Sequence, residues 1–125
     1  MTKKILIVED EATLVRALTD KFTKENFLAL SAKNGKEGLE TALLHKPDII
    51  LLDIVMPEMD GISMLGELRK DSWGKKVPVI MLTNLTDAEQ VQETMKNGVF
   101  DYLVKSDWKL EQVVNKVKDK LNVKQ

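Results

Sequence analysis

Four apolar runs in this chain end on side chains that could do chemistry. Glu9 and Asp10 follow Ile5 to Val8, Asp53 follows Ile49 to Leu52, Thr83 follows Val77 to Leu82, and Lys105 follows Phe100 to Val104. An aspartate that closes a wholly apolar strand is expensive to bury unless something offsets its charge. Brought together, Glu9, Asp10 and Asp53 would repel one another and invite a hard divalent cation with oxygen ligands. Mg²⁺ fits that description best, with Mn²⁺ as a substitute. The three negative charges are then balanced by a doubly charged ion and the Lys105 ammonium.

Whether these groups meet depends on the elements that carry them. After the first run, Leu14, Leu18 and Phe22 recur at helical spacing. Phe27 to Ala32 is a weaker, mixed strand, and Asn34 with Glu37 three residues on has the form of a helix cap before Leu39, Ala42 and Leu43. Lys46-Pro47-Asp48 punctuates before the most apolar run, and Asp60-Gly61 opens a helix carrying Ile62, Leu65 and Leu68. Val77 to Leu82 reads as a fourth strand, with Pro78 tolerable near its start. Thr86 with Glu89 repeats the cap pattern for a helix ending at Asn97-Gly98, and Phe100 to Val104 is the fifth strand. A last helix sets Leu110, Val113, Val114, Val117 and Leu121 on one face.

Five strands alternating with five helices predict a doubly wound α/β fold, (βα)5, with a parallel sheet covered on both faces. The first, third and fourth strands are continuously apolar and belong in the middle. The second is mixed and the fifth carries Asp101, so both suit edges. The flavodoxin-like order 2-1-3-4-5 satisfies this, whereas 3-2-1-4-5 would leave the most apolar strand at an edge. Ligands of such sheets bind outside the carboxyl ends of the strands near the first and third, and the acidic residues fall there.

Composition narrows the rest. With 125 residues the chain can bury roughly two-thirds of its unfolded surface. Its 19 basic and 20 acidic side chains leave no positive excess for direct nucleic-acid binding. The absence of cysteine excludes disulfides and thiolate metal sites. The apolar run after Met1-Thr2-Lys3-Lys4 stops at Val8, too short for a signal peptide or a membrane span. A cytoplasmic protein is expected, with one domain over residues 1–125, no visible effector domain and no membrane partner.

Taken one at a time, these residues have plainer explanations. Glu9-Asp10 would cap the first helix, Asp53 would cap a turn, and Lys105 would be a solvated lysine. Polar groups at four strand ends on one edge of one sheet outweigh those separate accounts.

The same stretches resemble a response-regulator receiver domain over nearly the full length. The resemblance is carried by Lys4-Ile5-Leu6-Ile7-Val8-Glu9-Asp10-Glu11, by Pro47-Asp48-Ile49-Ile50-Leu51-Leu52-Asp53-Ile54 continuing through Met56-Pro57-Glu58-Met59-Asp60-Gly61, by Val79 to Thr83, and by Asp101-Tyr102-Leu103-Val104-Lys105. It implies two-component phosphorelay signalling, in which Asp53 accepts a phosphoryl group from a phosphohistidine of a histidine kinase or phosphotransfer protein. It further implies that Asp10, Asp53 and the Val55 backbone carbonyl ligate Mg²⁺, with Glu9 acting through water. Lys105 would neutralise charge on the transferring oxygens, Thr83 would hydrogen-bond the phosphoryl group, and Tyr102 would be the switch aromatic. Such a chain catalyses its own aspartyl phosphorylation and slow dephosphorylation, yet is a signalling protein rather than a turnover enzyme.

The helix expected over residues 86–97 has a thin apolar stripe of Ala88, Val91 and Met95 and directly follows Thr83. It can shift cheaply. The output face, for an unknown output protein or effector domain, is therefore expected on this helix, the fifth strand and the last helix. A homodimer through the same face, with Asp101 and Lys96 in salt bridges, is a weaker expectation. Either a stand-alone receiver or part of a longer regulator accommodates the sequence.

Departures from the family pattern concern rate and lifetime. Receivers usually follow the lysine with a cis-proline; here Ser106 stands there, and a cis bond before it costs about 2.5–4 kcal/mol, which favours trans and a different aim for Lys105. Asn84 is larger than the usual residue beside the threonine and narrows access. Val55 and Leu85 are apolar and cannot orient an attacking water, so slow self-dephosphorylation is expected.

Other functional classes fit less well. A haloacid-dehalogenase-type phosphatase needs a second aspartate where Val55 stands. A flavin carrier needs a phosphate cradle where Asp10-Glu11-Ala12-Thr13 is acidic, and no P-loop or dinucleotide glycine motif occurs. A phosphorylation-independent adaptor, or pseudo-receiver, would lack the Asp, Thr or Lys, and all three are present. His45, the sole histidine, reads as a surface or capping residue. Trp73 and Trp108 read as packing residues, and Gly66 within the third helix suggests close packing.

Overall fold

Apolar residues in consecutive pairs of positions divide this chain between two faces of one sheet. The computed structural model describes residues 2–54, 59–83, 101–104 and 109–121. In chain order the elements are β1 (Lys4–Val8), α1 (Ala12–Lys24), β2 (Leu28–Ala32), α2 (Gly35–His45), β3 (Ile49–Asp53), α3 (Gly61–Leu68), β4 (Val79–Thr83), β5 (Asp101–Val104) and a C-terminal helix (Leu110–Leu121). The strands form one parallel sheet in the order β2-β1-β3-β4-β5, as expected. The helix expected over 86–97 lies outside the described residues, as do Asn84, Leu85, Lys96, Phe100, Ser106 and Trp108. Among the described residues no helix is long and apolar enough to cross a membrane.

Successive strand side chains point to opposite faces, so each central strand feeds two cores. Leu6, Val8, Ile50, Leu52, Val79 and Met81 pack with Ala42 of α2 and with Met64, Leu65 and Leu68 of α3. Ile5, Ile7, Ile49, Leu51, Ile80 and Leu82 pack with Leu18 and Phe22 of α1 and with Val113, Val114 and Val117 of the C-terminal helix. Each of the buried Val, Leu, Ile, Phe and Met side chains among them contributes about 1.5–3 kcal/mol relative to exposure. The edge position of β2 shows in Leu28, which is 49% exposed. Trp73 packs against the first core, as the sequence suggests.

Local signals set the element ends. Asn34 Oδ1 accepts the Glu37 N–H at 2.8 Å and Asp60 Oδ1 accepts the Ser63 N–H at 2.7 Å, so both expected helix starts carry a side-chain cap. α1 ends where Asn26 takes φ 69°, a left-handed position that asparagine tolerates. Phe27 then donates its N–H back to the Phe22 carbonyl at 2.9 Å, and the two rings meet edge to face with centroids 5.2 Å apart. This explains why β2 begins at Leu28 rather than Phe27. β4 starts at Val79, after Pro78, whose carbonyl accepts the Ile50 N–H at 3.0 Å. Asp53 and Thr83 are thus the last residues of their strands, one position further inside the sheet than the apolar runs suggest.

The close packing expected at Gly66 is corrected. Among the described residues a Cβ there meets nothing within 4 Å. Gly66→Ala is therefore expected to stabilise the fold by about 0.5–1 kcal/mol through helix propensity alone. Urea unfolding of the two proteins measures it.

A clasp links the C-terminal helix to the end of α1. The Lys118 ammonium on the C-terminal helix donates to Glu25 at the end of α1. This hydrogen bond holds the Glu25 carboxyl below its usual range against the opposing pull of burial, with the charges of Lys118 and Lys21 adding to it. A depressed carboxyl contributes stability above its unfolded pKa and loses it as pH falls. Urea midpoints above and below pH 4.5 are expected to fall less steeply with acid in Glu25→Gln than in the wild type. The difference will be small because the pair is partly solvated.

Candidate functional site

The site is assembled at the carboxyl ends of β1 and β3, which are neighbours in the sheet. Glu9 continues β1, and its N–H donates to the Ala32 carbonyl at 3.0 Å. Its side chain is 1% exposed, and Oε1 accepts the Glu11 N–H at 3.1 Å. Glu11 is the N-cap residue of α1 and makes no side-chain cap hydrogen bond. Asp10 is exposed beside it. Asp53 closes β3 at 4% exposure, in register with Leu82 of β4.

Carboxylate oxygens of Glu9, Asp10 and Asp53 all lie within 4.8 Å of one another. Two of the three groups are buried, so their mutual repulsion is poorly screened by water. An all-oxygen, net-negative donor set of this span suits a hard divalent cation and offers nothing to a soft one. The residues present fit the expected Mg²⁺.

The backbone at Asp53 is tightly built. Gly61, the first residue of α3, donates its N–H to the Ile54 carbonyl at 2.8 Å. A Cβ at Gly61 would lie 2.1 Å from the Asp53 carbonyl oxygen. The start of α3 therefore rests directly on the strand end that carries the carboxylate, an approach only glycine permits.

Thr83 ends β4 and pairs in register with Val104 of β5, and Tyr102 pairs with Met81. The sheet thus brings the Thr83 and Val104 main chain to the same edge as Asp53. Lys105 and Val55 lie outside the described residues. The sequence reading passed over Arg16 and Lys33, which line a groove of about 530 Å³ that also includes Glu9 and Asp10. Lys33 follows the end of β2, and the strand-end rule that found the other positions would have found it too.

Against known proteins, the family model described as the response regulator receiver domain matches residues 5–118. The chain belongs to that family. It is 41% identical over 107 residues to a protein-glutamate methylesterase/protein-glutamine glutaminase of Archaeoglobus fulgidus, covering 83% of this chain and 30% of that protein. It is 40% identical over 102 residues to the regulatory protein AtoC of Escherichia coli, covering 82% of this chain and 22% of the relative. This receiver thus spans less than a third of either relative's length. The receiver domain of the Francisella response regulator 1452 superposes with a TM-score of 0.84 at 32% identity, covering 94% of each chain. The flavodoxin-like fold, the receiver family and its place in response-regulator signalling agree with the sequence reading.

Proposed function

We propose that this receiver takes a phosphoryl group onto Asp53 from the phosphohistidine of a histidine kinase or phosphotransfer protein, and passes the signal to an output protein or effector domain. The reading is carried by the carboxylate cluster of Glu9, Asp10 and Asp53, drawn within 4.8 Å at the switch-point edge of a receiver-family sheet. An Asp53 oxygen forms the new P–O bond while the P–N bond to the histidine breaks, and the imidazole leaves with the electron pair. Asp10, Asp53 and the Val55 carbonyl would hold Mg²⁺ directly and Glu9 would do so through water. When bound, Mg²⁺ neutralises charge on the transferring oxygens. The Glu9 carboxylate is already oriented by the Glu11 N–H. Burial of Asp53 strips its carboxylate of most competing water.

Lys105 would supply the second positive charge, and the Thr83 hydroxyl would hydrogen-bond the phosphoryl group and begin the switch that Tyr102 completes. Signal would leave through the segment 86–97, β5 and the C-terminal helix. Incubation with Mg²⁺ and a small phosphodonor tests the reading: a hydroxylamine-labile mass gain is expected in the wild type. Its absence would remove the proposal.

A further inference from the structure

Ile54 and Met59, the described residues on either side of positions 55–58, are each tied by a main-chain hydrogen bond. One tie is internal, from the Gly61 N–H to the Ile54 carbonyl. The other reaches across to α2, where the Gly35 N–H donates to the Met59 carbonyl at 2.9 Å. Gly35 is the buried first residue of α2, and its neighbour Asn34 caps that helix through Glu37. The Gly38 N–H also donates to the Asn34 carbonyl at 2.9 Å, so Gly35 is not free to swing aside. A Cβ on Gly35 would sit 2.1 Å from the Met59 carbonyl oxygen and 2.8 Å from its carbon. Those are main-chain atoms, so the contact is relieved only by moving the Met59 main chain or the start of α2.

The turn from Ala32 to Gly35 therefore touches Glu9 directly and Asp53 through the start of α3. Its Ala32 carbonyl accepts the Glu9 N–H, and its Gly35 N–H holds Met59, two residues before the Gly61 that rests on Asp53. We propose that Gly35 is a positioning residue for the cation site: its N–H seats Met59, and with it the Gly61 start of α3 that rests on Asp53, against the turn that holds Glu9. The inference rests on the reading of the carboxylate cluster as a cation site, and extends it to a residue that touches neither the ion nor the phosphoryl group.

Gly35→Ala is expected to raise the Mg²⁺ concentration for half-saturation about tenfold, the scale of an outer-shell loss at a metal site. The titration is read from amide NMR shifts of Glu9 to Glu11. In phosphorylation by a small phosphodonor the same shift appears in the Mg²⁺ dependence, and the rate recovers at saturating Mg²⁺. Gly74→Ala supplies the matched control, since its Cβ would meet the Leu68 carbonyl oxygen at the same 2.1 Å beyond the far end of α3. It is expected to destabilise the fold and leave Mg²⁺ half-saturation unchanged. Should Gly35→Ala fail to fold, replacing the Gly35 amide by an ester removes the N–H without adding a Cβ, and the same shift is expected. Wild-type half-saturation in either Gly35 variant, or an equal shift in Gly74→Ala, overturns this inference alone. Absence of Mg²⁺ binding in the wild type overturns it together with the cation-site reading.

Discussion

Exchange of Asp53 for asparagine is expected to abolish phosphoryl incorporation and most of the stabilisation that Mg²⁺ confers. The amide that replaces the carboxylate is neutral, and its oxygen is a far weaker nucleophile toward phosphorus. Neither of the other carboxylates in the cluster can substitute. Glu9 is 1% exposed and tethered through Oε1, and Asp10 is carried on a different strand end. The variant also leaves two carboxylates where the wild type has three. At a Mg²⁺ concentration of one hundred times Kd, binding stabilises the wild-type fold by about 2.7 kcal/mol. Urea unfolding with and without Mg²⁺ should show that increment in the wild type and little of it in Asp53→Asn. Mass spectrometry after phosphodonor treatment should show no hydroxylamine-labile gain in the variant. Incorporation that survives the exchange would assign the acceptor to another residue.

Leu51→Ala is expected to cost about 2–5 kcal/mol, the largest stability loss among single truncations considered. Leu51 lies in the middle of β3, fully buried between β1 and β4, with Leu18, Phe22 and the C-terminal helix above it. Neighbours held on two hydrogen-bonded sides cannot collapse into the space left behind. Leu28→Ala provides the contrast. It lies on the edge strand at 49% exposure and is expected to change stability by under about 1 kcal/mol. Urea midpoints of the two variants compare them directly, and equal losses would contradict the strand order's energetic meaning.

The sheet was readable because burial on both faces writes itself as continuous apolar runs, and the mixed run of β2 marks an edge. The caps at Asn34 and Asp60 were readable because the capping group lies within three residues of its donor. The carboxylate cluster followed from strand ends alone. What escaped are features made by main-chain atoms or by distant pairs. Gly35 and Gly61 owe their roles to carbonyl oxygens of residues in another segment, and nothing in a glycine's sequence neighbours reveals that. The Lys118–Glu25 clasp joins positions 93 apart. Arg69, whose guanidinium donates to the Gly74 and Val77 carbonyls at 2.6 and 2.8 Å and whose pKa is lowered by burial, looks in sequence like any surface arginine. Gly66 misled for the complementary reason: its place in an apolar helix suggested contact, and the contact is not there.

The run Ile49-Ile50-Leu51-Leu52 has a consequence before the chain is folded. Four consecutive apolar residues without a proline, the first two β-branched, are the kind of segment that pairs with copies of itself when exposed. In this chain an acid flanks the run on each side, Asp48 before it and Asp53 after it. Such flanking charges act as gatekeepers that keep nascent or refolding chains apart. Asp48 is drawn into the fold by donation from the Lys4 N–H at 2.7 Å, and Asp53 into the carboxylate cluster with Glu9 and Asp10. The residue proposed to receive the signal therefore also guards the solubility of the strand that carries it, so a chain neutralised at position 53 enters folding with half of that guard removed.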